Sequence, residues 1–137
     1  MICQMTKTDI SNARQAVARL RDEIPALLDS LLDRQPLLKA YLDSTPRTCG
    51  VPSCRCAQGE KHTAWVVRIP EGGSARSRSI PEDVFRRLEP LAREYRQFRQ
   101  NLALVRRLFR EADAAFRQIE ASRLVDLDSE LREDHAR

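Results

Sequence analysis

The sequence predicts a mainly α-helical protein, in which a small loop and a β-hairpin lie between an N-terminal helical region and a long C-terminal helix. The apolar fraction is 42%, aromatic residues make up only 5%, and there are 4 glycines, which disfavours an all-β sandwich or a Gly-rich nucleotide-binding fold. Two long stretches also carry helical periodicity, and the segment between them has loop and strand chemistry. A length of 137 residues suits a single domain over 1–137.

The N-terminal region, residues 8–43, has apolar residues at alternating steps of three and four, which is typical of an amphipathic helix. These residues are Ile10, Ala13, Val17, Leu20, Ile24, Leu27 and Leu31. Thr8 or Asp9 is available as the N-cap. Pro25 and Pro36 each lack a backbone donor, so the helix should kink or restart near them. We predict two or three kinked helical pieces, the last over Leu37–Leu42.

Residues 45–80 are predicted to form a loop followed by a hairpin. The run 64–69 is rich in β-branched residues, and residues 75–80 can return as its partner strand. With Gly72–Gly73 as the central pair of the turn, Trp65 lies opposite Ile80. A bulged turn would shift this register. A Trp in that position is more often part of the core than a platform for stacking a base.

Residues 81–124 are predicted to form a long, coiled-coil-like helix, followed by an acidic tail over 125–137. Eleven successive heptad core positions are apolar. They are Val84, Leu88, Leu91, Tyr95, Phe98, Leu102, Val105, Phe109, Ala112, Phe116 and Ile119. Pro90 should kink this helix or mark its true start. The heptad surface from Leu88 to Ile119, without Ala112, is the predicted oligomerisation surface. We expect the N-terminal helices to fold back antiparallel and cover part of this surface. We expect a second chain to cover the surface as well.

Four side chains in the loop have the chemistry of a metal site. Cys49, Cys54, Cys56 and His62 are spaced C-x4-C-x-C-x5-H, and three thiolates with one imidazole are a common structural ligand set for zinc. We predict a structural zinc ion that clamps the loop. Three reduced cysteines in a surface loop and a redox pair are the alternatives. Cys3 is distant in sequence and is not included in the ligand set.

The stretch from Arg47 to Tyr95 resembles a family of short, uncharacterised bacterial proteins. The resemblance rests on CGVPSCRCAQGEKH, the following Trp65, the Gly-rich turn and Ile80-Pro81. Those proteins share a C-G-x-P-x-C-x-C-A...H motif, an aromatic strand, a hairpin and a helical C-terminal part. The resemblance implies a metal-binding module often encountered beside transposase genes, with no established activity.

Basic residues are concentrated in the middle of the chain. Residues 45–110 contain 14 basic and 6 acidic residues, whereas residues 111–137 contain 4 and 8. This distribution favours a polyanion-binding centre. The predicted contacts are Arg47, Arg55, Lys61, Arg68, Arg76, Arg78, Arg86, Arg87, Arg93 and Arg96. We therefore predict a nucleic-acid-binding accessory protein, with DNA as the favoured partner and a link to transposition or another mobile element.

The alternative is a protein-interaction or regulatory adaptor that acts through the heptad surface, with the basic and acidic parts of the long helix paired between two chains. An enzyme is not expected, because the sequence has no G-x-S-x-G elbow, phosphate-binding Gly loop or H-E-x-x-H motif. No run approaches the roughly 20 apolar residues of a membrane span, and the first ten residues do not resemble a signal peptide. A cytoplasmic location without membrane association is expected.

Overall fold

The computed structural model describes residues 6–136 of the chain, so Cys3 lies outside the described residues. The elements are α1 (Lys7–Leu31), β1 (Tyr41–Arg47), a 3-10 turn (Arg55–Gln58), β2 (His62–Glu71), β3 (Ser74–Ser79), α2 (Glu82–Arg123) and α3 (Leu127–His135). The predicted mainly helical class, with a long C-terminal helix and a small β insertion, is confirmed. The described residues divide into two compact units. One contains residues up to Leu32 and from Asn101 onward, and the other contains 33–100.

Helix α1 begins with a capping box. Thr6 is the N-cap: its Oγ1 accepts from the Asp9 N–H at 3.2 Å, and Asp9 Oδ2 accepts from the Thr6 N–H at 2.8 Å. The expected N-cap at Thr8 or Asp9 is therefore wrong, because Asp9 occupies the third helical position and returns the bond to Thr6. These bonds from Thr6, the backbone one first, lower the pKa of Asp9. Pro25 lies inside a single continuous helix instead of starting a new one.

The prediction of a helix over Leu37–Leu42 is wrong. This part of the chain is irregular up to Ala40 and then enters β1, which pairs antiparallel with β2 through Leu42 opposite Val67. A six-residue stretch that is apolar apart from Lys39 does not distinguish a helix from a strand, and tertiary pairing decides between them. Pro46 is tolerated because β1 is an edge strand.

The sheet is antiparallel with strand order β1-β2-β3, so the predicted hairpin is present but has a third strand beside it. Gly72 and Gly73 have φ of 46° and 89°, the left-handed values of a two-residue hairpin turn. The Ile80 N–H donates to the Trp65 carbonyl at 2.9 Å, which confirms the predicted register. Trp65 is half-buried against Phe85, with ring centroids 4.5 Å apart, so it belongs to the core of this unit.

In the unit that contains the two chain ends, α1 runs antiparallel to the second half of α2. Asn101 Nδ2 donates to Ser30 Oγ at 2.6 Å, and Arg19 lies 3.6 Å from Glu111 ten positions further along α2. The expected antiparallel fold-back is therefore observed. The residues of the apolar stripe predicted for α1 are half-buried, and Ala13, at 3% exposure, is buried.

The residues that α2 buries in this unit coincide only in part with the predicted heptad positions. The buried line is Val105, Leu108, Ala112 and Ala115, whereas Phe109 and Phe116 remain 52% and 51% exposed. Val105 and Ala112 are heptad positions, whereas Leu108 and Ala115 each precede an exposed phenylalanine by one residue. The covered line therefore lies on the side of the helix that carries Leu108 and Ala115, and not on the side that carries Phe109 and Phe116. The two phenylalanines are thus left at the surface of the unit.

The acidic tail contains helix α3, which the sequence did not predict. Asp126 caps it, accepting from the Asp128 N–H at 3.2 Å. All described residues of this tail are exposed. Among the helices of residues 6–136, none is long and apolar enough to cross a membrane.

Candidate metal centre

The Cys/His loop connects two paired strands, and its ends are held together by the sheet. Arg47, the last residue of β1, pairs with His62, the first residue of β2. Cys49 follows this pair by two residues, and Cys56 lies within the 3-10 turn. Gly59 ends that turn with a φ of 128°, a backbone conformation that favours glycine, and returns the chain towards His62. The sheet therefore brings both ends of the ligand sequence to one place.

All four predicted ligands converge in the structure. The three sulfur atoms and an imidazole nitrogen lie within 4.8 Å of one another. Cys49 Sγ is 3.4 Å from Cys56 Sγ, and Cys54 Sγ is 3.2 Å from His62 Nε2. A tetrahedral zinc ion with bonds of about 2.3 Å to each thiolate places two sulfurs about 3.8 Å apart. The distance between Cys49 Sγ and Cys56 Sγ is only slightly shorter, and all four donor atoms lie close enough together to hold one metal ion.

The electrostatics of the cluster favour ionised sulfur at two positions. Hydrogen bonds, first from the Val51 backbone and then from the other ligands, lower the pKa of Cys49 to about 6. A hydrogen bond from the Cys56 backbone, followed by those of Cys56 and His62 side chains, lowers the pKa of Cys54.

The pKa values of the other two predicted ligands, Cys56 and His62, are raised in the same cluster. The Cys49 backbone N–H donates to Cys56 Sγ at 3.3 Å, yet burial and the neighbouring thiols raise the pKa of Cys56. The adjoining sulfurs of Cys54 and then Cys49 raise the pKa of His62. Cys56 is only 2% exposed, so its sulfur faces the other donors from inside the loop. The arrangement could hold a metal ion, and the ion would link the end of β1, the 3-10 turn and the start of β2.

The ten basic side chains predicted to contact nucleic acid are all exposed, but only some of them are in ion pairs with carboxylates. Four are in ion pairs: Arg68 with Asp43, Arg76 with Glu71, Arg86 with Glu82 and Arg93 with Glu89. Within residues 6–136 the other six have no ion pair: Arg47, Arg55, Lys61, Arg78, Arg87 and Arg96. Three of the six, Arg47, Arg55 and Lys61, belong to the loop and its immediate flanks.

The structure also contains an open basic groove of about 520 Å³ in the unit formed by 33–100, which we call the tyrosine groove. Its lining is Lys39, Ala40, Tyr41, Pro70, Tyr95, Arg96, Arg99 and Gln100. Only Arg96 of this set was among the predicted nucleic-acid contacts. Tyr41 is the first residue of β1. Because the sequence predicted a helix there, it did not place Tyr41 beside α2.

The fold and the site define a class of protein: a mainly helical chain with a small antiparallel sheet that presents a Cys3His cluster. Comparison with known families matches residues 14–90 to the domain of unknown function DUF6788. The match covers more than half of the chain and includes the whole cluster, so the chain belongs to this family. Searches of curated proteins and of solved structures gave no match.

Proposed function

We propose that the protein is a non-catalytic nucleic-acid-binding accessory protein, with DNA as its target, and that a structural zinc ion holds its binding loop. One observation carries the proposal. Arg47, Arg55 and Lys61 lie within or directly beside the Cys/His loop in the sequence, are exposed and have no ion pair within the described chain. Cations without a carboxylate partner are available to phosphate, to which a guanidinium can donate bidentate hydrogen bonds.

The proposed zinc ion would act on binding through the backbone. The loop between Cys49 and His62 contains few hydrogen bonds of its own, among them Cys54 N–H to the Val51 carbonyl and Ala57 N–H to the Cys54 carbonyl, both at 3.1 Å. An ion linking its four ligands would hold the loop cations in one arrangement before DNA arrives, which reduces the entropy cost of binding. Four protein ligands leave no coordination position for water or substrate, which supports a structural and not a catalytic ion.

The test is the salt dependence of DNA binding. Fluorescence anisotropy with a short duplex should give an affinity that falls steeply with salt, with a log-log slope of about −0.9 for each phosphate neutralised. The variant with Arg47→Ala, Arg55→Ala and Lys61→Ala should lose about three contacts, which makes the slope shallower by about 2.7.

The matched control removes the same charge elsewhere. Arg14→Ala, Arg106→Ala and Arg110→Ala replace three exposed arginines that have no ion pair in residues 6–136. This control should retain a slope close to that of the unchanged protein. A flat salt response of the unchanged protein, or equal effects of the two triple variants, would contradict the proposal.

Two further parts of the proposal have their own support. The link to transposition or another mobile element rests on the resemblance carried by the CGVPSCRCAQGEKH segment. The proposed cytoplasmic setting is supported by the three described cysteines, Cys49, Cys54 and Cys56, which are free and lie close together in one cluster. Such thiols persist in a reducing compartment.

A second candidate is a protein-interaction adaptor that associates through the heptad surface, with another copy of the chain as the first partner. The favouring observation is that Phe109 and Phe116, one heptad apart on α2, remain about half exposed. Two exposed aromatic rings on one helix face are typical of a contact surface. The double variant Phe109→Ser, Phe116→Ser should shift sedimentation towards the monomer. A monomer at every concentration before substitution would exclude this candidate.

A further inference from the structure

The tyrosine groove is built by four parts of the unit 33–100, one of which is β2 with Pro70. The connecting segment before β1 supplies Lys39, the first residue of β1 supplies Tyr41, and α2 supplies Tyr95 and two arginines. The connecting segment is anchored because the Leu38 N–H donates to the Leu91 carbonyl of α2 at 3.1 Å. The wall that carries Lys39 and Tyr41 is thus tied to the helix that forms the opposite wall.

The charge of the groove is entirely positive. Lys39, Arg96 and Arg99 line it, and no carboxylate is among the lining residues. None of the three cations is in an ion pair within 6–136. Hydrogen bonding by Arg93, with a smaller contribution from Arg96, lowers the pKa of Glu89, but Arg93 already holds that carboxylate at 2.6 Å. The groove therefore presents three cations to an anionic ligand.

Its aromatic residues are accessible. Tyr41 is 60% exposed at the start of an edge strand, and Tyr95 is half-buried on the facing helix. Both tyrosines are among the residues that line the groove. Cations that follow a phosphate backbone, together with aromatic rings on which bases stack, are the combination by which proteins bind single strands without sequence preference. Bases in a duplex are already stacked on each other and paired, so only an unpaired base can use these rings.

We propose that the tyrosine groove binds a single-stranded segment of nucleic acid, with an unpaired base against Tyr41 or Tyr95 and the adjoining phosphates on Lys39, Arg96 and Arg99. The volume of about 520 Å³ lies within the usual range of ligand sites, and because the groove is open, a strand can enter and leave it. The inference rests on the proposed nucleic-acid-binding function and specifies it: a duplex contacts the loop cations, and a strand lies in the tyrosine groove.

The experiment compares ten-nucleotide oligothymidylate, the matching RNA, a duplex and thymidine monophosphate by fluorescence anisotropy and competition. Tyr41→Ala should weaken binding of the single strand about tenfold, the expected loss of one stacked base, and leave duplex binding unchanged. Tyr41→Phe is the matched control, because it keeps the ring and should retain binding.

Arg99→Ala should remove one phosphate contact. The log-log slope of single-strand affinity against salt should therefore become shallower by about 0.7. Bromouracil in the strand should crosslink to Tyr41 or Tyr95.

The outcomes separate this inference from the proposed function. Duplex binding without single-strand binding overturns the inference and leaves the proposed function standing. Single-strand binding that responds to Tyr41→Ala but not to Tyr41→Phe supports the inference, even where the duplex does not bind. Competition by the mononucleotide as strong as by the oligonucleotide overturns the strand assignment. Single-strand binding that is the same in Tyr41→Ala, in Tyr95→Ala and in the unchanged protein overturns the inference.

Discussion

Removing one metal ligand should strip the ion and destabilise the unit that contains 33–100. Cys54→Ser replaces a thiolate whose sulfur is 3.2 Å from His62 Nε2, and His62→Ala removes the imidazole from the same cluster. With free zinc 100-fold above its Kd, binding stabilises the folded state by about 2.7 kcal/mol. For a unit of this size, about 4–8 °C per kcal/mol converts this into a fall in Tm of roughly 10–20 °C.

Elemental analysis and thermal unfolding followed by circular dichroism measure the two effects. The unchanged protein should carry about one zinc ion per chain, and chelation should reproduce the fall in Tm. Cys3→Ser is the matched control, because Cys3 is outside the ligand set, and it should keep both metal and Tm. Equal metal content in Cys54→Ser, His62→Ala and the unchanged protein would refute the ligand assignment. A loss of metal in Cys3→Ser would show that the ligand set is incomplete.

Two further predictions concern the folded state. Thr6→Ala removes the capping box of α1 and should lower the free energy of unfolding by about 1 kcal/mol in urea titrations. Because the folded-state pKa of Asp9 is lowered, its part of this stabilisation is present above the ordinary value of 3.8 and is lost as pH falls through the folded-state value. The Thr6 hydroxyl donates one of the bonds to Asp9, so the difference in stability between the two proteins should become smaller in acid. It should not vanish, because the bond from the Asp9 N–H to Thr6 Oγ1 does not titrate, and a constant difference would contradict this explanation. Gly72→Val forces a β-branched residue to a φ of 46° and should cost at least about 1 kcal/mol, whereas Ser74→Val, in a strand, should not.

The sequence predicted the parts of the fold that depend on local chemistry. The Gly72–Gly73 turn set the hairpin register, because two left-handed residues define a two-residue turn. The cluster of Cys49 and His62 could be predicted because its ligand types and spacing are specific to metal chemistry. Strand β1 could not be predicted, since its pairing with β2 depends on residues that are up to 27 positions away in the sequence, as Tyr41 and Arg68 are.

The burial of α2 and the tyrosine groove escaped prediction for related reasons. The heptad repeat indicated an apolar surface, but which line is buried depends on where α1 lies, so Leu108 is covered while Phe109 is exposed. Tyr41 lines the groove because this part of the chain is a strand, whereas the sequence predicted a helix there. Pro25 does not end α1, since a proline removes one hydrogen bond from a helix whose apolar stripe still packs.

The two outer strands of the sheet determine which association the protein can undergo. Strand β3 is exposed along its whole length and carries Arg76 and Arg78, while β1 contains Pro46, which has no N–H to donate. Charged side chains and a missing donor make both edges poor templates for adding another strand, so they guard against the edge-to-edge pairing that begins aggregation. Self-association through a shared sheet is thereby disfavoured, and contact between copies is expected to use helical surfaces.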